Sequence, residues 1–160
     1  MGSVAKVVTI RSVLAVLAGI VTLTAISFAI EAVVDPLLLR LFPEDFPNLA
    51  ALGRSVPARA LMFSYGALSI AAGGYVTAWL ARRAPLRHAA VMGATQTALT
   101  LLAMRSMPNH ASMATWIVTI TSTLPAALLG GWLFVRRLGH RETRFVVKPS
   151  EGGYSRTDSR

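Results

Sequence analysis

The sequence lacks cysteine and carries little charge for its length. With no cysteine among 160 residues, the chain cannot form a structural disulfide, a thiolate zinc site or a cysteine nucleophile. This excludes the thiol enzymes that share a four-helix membrane layout. Charged residues make up 14% of the chain and hydrophobic residues 54%, whereas an ordinary soluble domain has about 25% charged residues. The composition therefore indicates an integral membrane protein.

Acidic residues are scarce too, at seven against sixteen lysines and arginines, which gives a net charge of +9. A nucleic-acid-binding protein needs its basic residues on a folded, water-facing surface. Here they lie in short groups between apolar runs. We therefore expect them to set membrane topology, and we expect no nucleic-acid partner.

Four segments are apolar and long enough, or nearly so, to cross a bilayer as a helix, which takes about 20 residues. They are residues 12–34, 60–80, 86–104 and 112–135. The third is the shortest and most polar, so we expect it inside the bundle, in contact with other helices. The sequence thus predicts an all-α fold over residues 1–138, a four-helix transmembrane bundle of up-down topology.

The distribution of lysine and arginine predicts the orientation, because these residues resist translocation. A cytoplasmic N-terminus would place twelve of them on the cytoplasmic side and leave only Arg40, Arg54, Arg59 and Arg105 outside. We therefore expect both termini in the cytoplasm. The cytoplasmic side would include a basic cluster that attracts anionic lipid head groups, made of Arg136, Arg137, Arg141, Arg144 and Lys148.

Two segments lie outside the predicted spans. The outer connection, residues 35–57, mixes leucine and phenylalanine with acidic residues and four prolines, which argue against one continuous helix. We expect a short interfacial helix or two there, dipping into the lipid. The tail, residues 139–160, has few large apolar residues, so it is predicted to be a disordered basic cytoplasmic segment.

Small residues recur at helical spacing in all four segments, which is typical of membrane helices that pack closely. The stripe in the first segment contains Ala15, Ala18, Thr22, Ala25 and Ala29. The glycines predicted to mediate packing elsewhere are Gly66, Gly73, Gly74, Gly93, Gly130 and Gly131. The alternative is a polar pathway through the membrane, lined by Gln96, Thr97 and Thr100 and other hydroxyl side chains.

Two further residues stand out within the apolar spans. Glu31 is the one acidic residue inside a predicted span, and a charge within the membrane suggests a functional site. Because it lies about one turn from the outer end, it could instead anchor the helix by pairing with Arg54 or Arg59. Pro125 interrupts the fourth segment after three hydroxyl residues and predicts a kink, either static or a hinge.

A motif supports a resemblance to known proteins. Residues 71–85 run from an Ala/Gly-rich helix through Gly73, Gly74 and Tyr75 into Arg82 and Arg83. This resembles the small, largely uncharacterised four-helix membrane proteins of bacteria with a Gly-Gly-Tyr step in the second helix. The resemblance covers the whole chain in layout but only this stretch in motif. It implies a bacterial inner membrane and no particular activity.

The sequence shows no catalytic, cofactor-binding or metal-binding constellation. The histidines at 88, 110 and 140 lie at helix ends or in connections, without metal-ligand spacing. The leading hypothesis is a non-enzymatic membrane protein that acts by self-association, as a homo-oligomer, or as a subunit or accessory factor of a membrane complex. The alternative is a small oligomeric transporter or channel that uses Glu31 and a Thr/Ser/Gln-lined interior. We expect no cofactor.

Overall fold

The chain is all-helical throughout the part that the structure describes. A computed structural model describes the backbone of residues 2–81, 83–107 and 111–142, and side chains at positions 10–81, 83–107 and 111–138. Within these ranges there are five helices and no strand: α1 (Gly2–Leu41), α2 (Leu49–Arg54), α3 (Val56–Ala81), α4 (Pro85–Ser106) and α5 (Met113–Glu142). The predicted all-α class is confirmed.

Helix α1 extends beyond the predicted segment 12–34 at both ends. It has 40 residues, which corresponds to about 60 Å. Pro36 lies inside it, so this proline does not end the helix as expected. A proline costs one backbone hydrogen bond, whereas unwinding the leucines that follow would leave several amide groups unpaired beside lipid. The helix ends at Leu41, two residues before Pro43.

The connection between α1 and α3 is consequently shorter than residues 35–57. Asn48 caps α2, because its side-chain oxygen accepts a hydrogen bond from the Ala51 amide at 2.9 Å. Leu52 of α2 is fully buried, so this short helix packs against the protein as well as facing outward. Pro57 lies in the first turn of α3, where proline costs no hydrogen bond.

A tight turn separates α3 from α4. Ala84 caps α4 with φ 48° and ψ 57°, the left-handed region that usually requires glycine, and Pro85 begins the helix.

At the other end of the chain, α5 continues to Glu142. The first residues of the predicted disordered tail are therefore helical, and the rest of that prediction lies outside the described residues.

Three of the described helices are long and apolar enough to cross a membrane: Ile10–Leu41 of α1, Val56–Ala81, and Met113–Leu138 of α5. The chain is therefore a membrane protein. Helix α4 has 22 residues but is more polar than these three.

The helices pack around α3, which contacts α1, α4 and α5. Helix α4 contacts the same two neighbours, α1 and α5, as expected for a segment placed among other helices. Within the described residues α1 and α5 do not touch. A small apolar core of Leu23, Met92 and Ala127 lies where α1, α4 and α5 converge on α3.

Candidate functional site

Among the described residues, α3 and α5 cross at very short range. A Cβ built on Gly130 would overlap the Ala71 carbonyl oxygen, and one built on Gly74 would overlap the Ala127 carbonyl oxygen. The two backbones therefore touch without intervening side chains, as in membrane helices that associate through small residues. The Tyr75 and Phe134 rings meet edge to face further along, with centroids 5.6 Å apart.

The other crossings use glycine in the same way. A Cβ on Gly73 would lie 2.6 Å from the Gly19 carbonyl oxygen of α1 and 2.6 Å from the Met92 Cε of α4. Between α4 and α5, a Cβ on Gly93 would lie 2.9 Å from the Ala127 Cβ, and one on Gly131 would lie 2.7 Å from the Ala89 Cβ. Each distance is shorter than a normal carbon contact, so glycine sets the spacing of these helices.

The predicted packing stripes and the observed crossings differ in two places. A Cβ on Gly66 would meet no heavy atom within 4 Å, so this glycine mediates no close approach. Gly19, absent from the predicted set, faces Gly73 and Thr77, and a Cβ there would overlap the Thr77 hydroxyl oxygen. Ala15, Gly19 and Leu23 form the buried face of α1 at four-residue spacing, and that spacing is the signal that points to Gly19.

The glycine crossings all lie in one half of the helix bundle. We call this the glycine half and define it as residues 10–23, 69–81, 85–93 and 123–138. The remainder of the long helices, residues 24–41, 56–68, 94–106 and 113–122, is the acidic half. In the acidic half only Ala58, Tyr65 and Thr100 are buried, and neither α1 nor α5 buries a residue there. The helices are therefore packed far more tightly in the glycine half.

The acidic half contains the carboxylates Glu31 and Asp35, one turn apart on α1. Both side chains are half-buried, and Asp35 Oδ1 is sealed without a hydrogen-bond partner. Within the described residues Glu31 makes no ion pair, so the expected partners Arg54 and Arg59 do not anchor it. The chain has a net charge of +9, yet no basic side chain among the described residues pairs with this acidic pair.

Tyr65 is the buried aromatic residue of α3 in the acidic half. Its side chain is 8% exposed. The Tyr65 hydroxyl has no hydrogen-bond partner in the described part of the chain, and it is not among the sealed atoms, so it keeps some accessible surface. The sequence analysis missed Tyr65 and Asp35 because α1 was expected to end at residue 34.

The predicted polar pathway residues lie on α4. Met92, Gln96 and Thr100 follow one another at four-residue spacing, with Met92 and Thr100 buried and Gln96 half-buried between them. The Thr97 hydroxyl donates to the Gly93 carbonyl at 2.9 Å and the Thr100 hydroxyl to the Gln96 carbonyl at 3.0 Å. Both hydroxyls donate their hydrogen bonds to carbonyls of their own helix, so they do not require water or a ligand as acceptor.

Pro125 lies within α5 and is exposed. The neighbouring hydroxyls donate upstream: Thr121 to the carbonyls of Ile117 and Val118, and Thr123 to that of Thr119. The Thr121 carbonyl, which loses its amide donor to the proline, is not among their acceptors. The structure thus shows Pro125 inside a continuous helix at the boundary between the two halves.

Polar contacts hold the end of the glycine half. The His88 Nε2 atom of α4 lies 3.0 Å from the Ser12 hydroxyl of α1, and its Nδ1 atom lies 3.1 Å from the Ala84 carbonyl. Arg137 lies over the Tyr75 ring, 5.9 Å from its centroid, and Arg136 over Trp132 at 5.2 Å. The predicted anionic-lipid cluster begins with these two arginines, and its members beyond position 138 lie outside the described side chains.

Within the described residues no group of three or more histidine, cysteine or carboxylate side chains could hold a metal ion. No protein-family model, curated protein or solved structure matches the chain. The resemblance carried by residues 71–85 stays a prediction.

Proposed function

We propose that the chain is a four-span membrane protein that acts without catalysis, by associating with itself or with a larger membrane complex. The observation that carries the proposal is the contrast within α1. Residues 10–23 are held to α3 by Gly19 and Gly73, whereas no residue of 24–41 is fully buried within the chain. The opposite face of residues 24–41 is exposed and largely apolar, with Phe28, Val33 and Leu37 among its residues, so it is available for another helix.

Helix α4 can serve as the fourth span despite its polarity. Its 22 residues reach about 33 Å, and the hydrocarbon core is about 30 Å thick. The outward residues are apolar, among them Val91, Leu99 and Leu102. The more polar residues, Gln96 and Thr100, follow the face that carries buried Met92. Packing against α1, α3 and α5 thus shields the residues that would be costly in lipid.

The orientation we propose places both termini in the cytoplasm of a bacterial cell, with the glycine half at the inner leaflet. The count of twelve basic residues against four supports it. Arg11 and Glu31 are separated by roughly 30 Å along α1, which would place them at opposite hydrocarbon boundaries.

The absence of cysteine makes the topology easy to test, because each substituted cysteine is the only thiol. In intact cells, Asn48→Cys should react with a membrane-impermeant maleimide, and Ser3→Cys and Arg83→Cys should react only after permeabilisation. Labelling of Arg83→Cys in intact cells would overturn the proposed orientation.

The exposed face of residues 24–41 suits association. It presents the small residues Ala25, Ala29 and Ala32, which allow a second helix to approach closely. The outward face of the glycine half presents Leu14, Leu17 and Val21 without exposed alanines, whereas the acidic half combines its three alanines with exposed Phe28 and Val33. We therefore place the contact with a partner helix in the acidic half of α1.

The transporter or channel alternative is supported by Glu31 and by Gln96, whose amide has no partner within the described residues. It is weakened by the hydroxyls of Thr97 and Thr100, which bond to their own helix. A conducting pathway would also need a water-filled interior that a single 17.1 kDa chain offers little room for. Association is therefore the better-supported function.

Native mass spectrometry of the protein released from nanodiscs tests the proposal. We expect a dimer or higher assembly, or a heteromeric complex when the protein is extracted from its own cells. Ala29→Leu should reduce the assembled fraction, whereas the matched control Leu17→Ala on the glycine half should not. A monomer under all these conditions would overturn the proposal.

A further inference from the structure

In the glycine half, the crossing of α3 and α5 holds an arginine against an aromatic pair. A Cβ on Gly130 would lie 2.8 Å from the Tyr75 amide nitrogen, so this glycine lets α3 bring the tyrosine close to α5. The Tyr75 ring packs edge to face on Phe134, with centroids 5.6 Å apart, and Phe134 is buried. The Arg137 guanidinium lies 5.9 Å from the centroid of the Tyr75 ring. Tyr75 therefore connects the glycine crossing to the arginine.

Arg137 and Tyr75 keep most of their hydrogen-bonding capacity. The Arg137 Nη1 atom donates to the Tyr75 hydroxyl over 3.4 Å, which is long for a hydrogen bond. A guanidinium has five N–H donors, and the remaining ones have no acceptor among the described residues. The proton of the Tyr75 hydroxyl has no acceptor in the same part of the chain either. Because Arg137 is exposed, these donors are available to one anionic acceptor.

The positive charge at this end of the protein has no acidic side chain to compensate it within the described residues. Their carboxylates all lie in the acidic half or in the outer connection, at Glu31, Asp35, Glu44 and Asp45. Arg136 lies beside Arg137 in the chain, with its guanidinium over the Trp132 ring. An anionic ligand therefore complements this region in charge.

The depth of Arg137 indicates that the ligand is a lipid. Gly19 and Gly130 both contact α3 between residues 71 and 77, so they lie at a similar depth. Arg11 is eight residues before Gly19 and Arg137 seven residues after Gly130, and each arginine is thus roughly 11 Å from its glycine along the helix. In the proposed orientation both arginines lie at the inner hydrocarbon boundary, next to the lipid phosphates.

We propose that Arg137 and Tyr75 bind the phosphate of an anionic phospholipid in the cytoplasmic leaflet. The guanidinium and the phenol donate to neighbouring phosphate oxygens, and the Tyr75 ring holds the guanidinium in place before the lipid arrives. Leu133, one turn before Arg137, is exposed and can contact an acyl chain. A choline head group is disfavoured because it brings a second cation toward the arginines.

This site differs from the attraction expected of the whole basic cluster, which depends on net charge alone. Its leaflet rests on the proposed orientation, but binding of the lipid needs no self-association.

The test uses the full chain in nanodiscs of equal parts phosphatidylglycerol and phosphatidylcholine, with retained lipid measured by native mass spectrometry. Tyr75→Phe removes the phenol proton and should lower phosphatidylglycerol retention about fivefold. Arg137→Lys removes the planar donor pair and the stacking on the ring, and it should lower retention about tenfold. Neither substitution changes the net charge. The matched controls Tyr65→Phe, in the acidic half, and Arg87→Lys, at an exposed arginine of α4, should retain the lipid.

Two results would overturn the site. Attraction by net charge alone predicts equal retention in all four variants. Equal losses from Arg87→Lys and Arg137→Lys would also contradict it, because Arg87 has no ring beside it within the described residues.

Inorganic phosphate tests whether the ligand is a lipid. In nanodiscs of phosphatidylcholine alone, it should leave the unfolding temperature of the wild-type chain unchanged. A rise that Arg137→Lys abolishes would overturn the assignment to a lipid.

The proposed association is scored separately in the same spectra. Arg137 is exposed, so Arg137→Lys should fold, and helical circular dichroism checks this. A monomer that retains phosphatidylglycerol supports the site and contradicts association. An assembly that shows no preference for phosphatidylglycerol supports association and contradicts the site.

Discussion

The glycine half and the acidic half are built from the same four long helices but hold them together differently. In the glycine half, backbones touch at Gly19, Gly73, Gly74 and Gly130. In the acidic half, α1 and α5 bury no residue, and the polar groups of Glu31 and Asp35 have no basic partner within the described residues. Lipid gives helices no hydrophobic reason to associate, so close backbone contact fixes the glycine half, and the acidic half lacks such contact.

The largest expected loss of stability comes from adding a methyl group where the backbones of α3 and α5 touch. Gly130→Ala would place a methyl group on the Ala71 carbonyl and should destabilise the protein by roughly 3 kcal/mol, as overpacking does. Unfolding in mixed micelles, followed by helical circular dichroism, measures the change.

The matched control is Gly66→Ala in the acidic half, where a Cβ has open space. This substitution should leave stability unchanged or raise it by up to about 1 kcal/mol, because alanine favours helix more than glycine. Equal losses at both positions would show that the two halves are packed alike.

A smaller effect is expected from the core residue Met92, which is fully buried against Gly73. Met92→Ala should lower the free energy of unfolding by about 2 kcal/mol, which is at the low end for a buried methionine. The loss is small because a helix that unfolds into lipid loses packing contacts but exposes no apolar surface to water. Leu102→Ala, on the exposed face of the same helix, should change the unfolding free energy by less than about 0.5 kcal/mol. A larger loss at Leu102 would place the core on the opposite face of α4.

The hydrogen bond between His88 and Ser12 should contribute less again. Ser12→Ala should destabilise the protein by about 1 kcal/mol, whereas Ser64→Ala breaks only a bond within α3 and should have no measurable effect. Because Ser12 has a further interaction, a double-mutant cycle with His88→Ala isolates the pair. Strictly additive losses would contradict a direct bond between α1 and α4.

The smallest effect is expected at Pro125, on the boundary between the halves. Pro125→Ala restores the amide that can bond to the Thr121 carbonyl and should stabilise α5 by less than about 1 kcal/mol, since the surrounding helix already accommodates the proline. A loss of assembled protein without a loss of stability, measured by native mass spectrometry, would identify Pro125 as a hinge instead.

The sequence predicted the helices better than their ends. Long apolar runs identify α3 and α5 because lipid demands a fully bonded helix, and a shorter, more polar run identifies α4. The extension of α1 past Pro36 was not predicted, because local proline rules do not include the cost of unwinding the residues that follow.

The candidate site was predicted only in part. Glycines at helical spacing indicate close packing, but which of them meet a neighbour depends on how the helices cross, so Gly66 was included and Gly19 missed. Glu31 was selected as a lone charge in an apolar span. Its grouping with Asp35 was not predicted, because residue 35 was expected to lie beyond the end of α1.

Disulfide formation between single cysteines tests most directly whether the acidic half of α1 is the surface for association. Cysteines would be introduced one at a time at Ala25, Ala29 and Ala32 in the acidic half and at Leu14, Leu17 and Val21 in the glycine half, with mild oxidation in native membranes. We expect cross-linked dimers from the first set and little or none from the second. Cross-links confined to the glycine half would contradict the account, as would equal cross-linking along the whole helix.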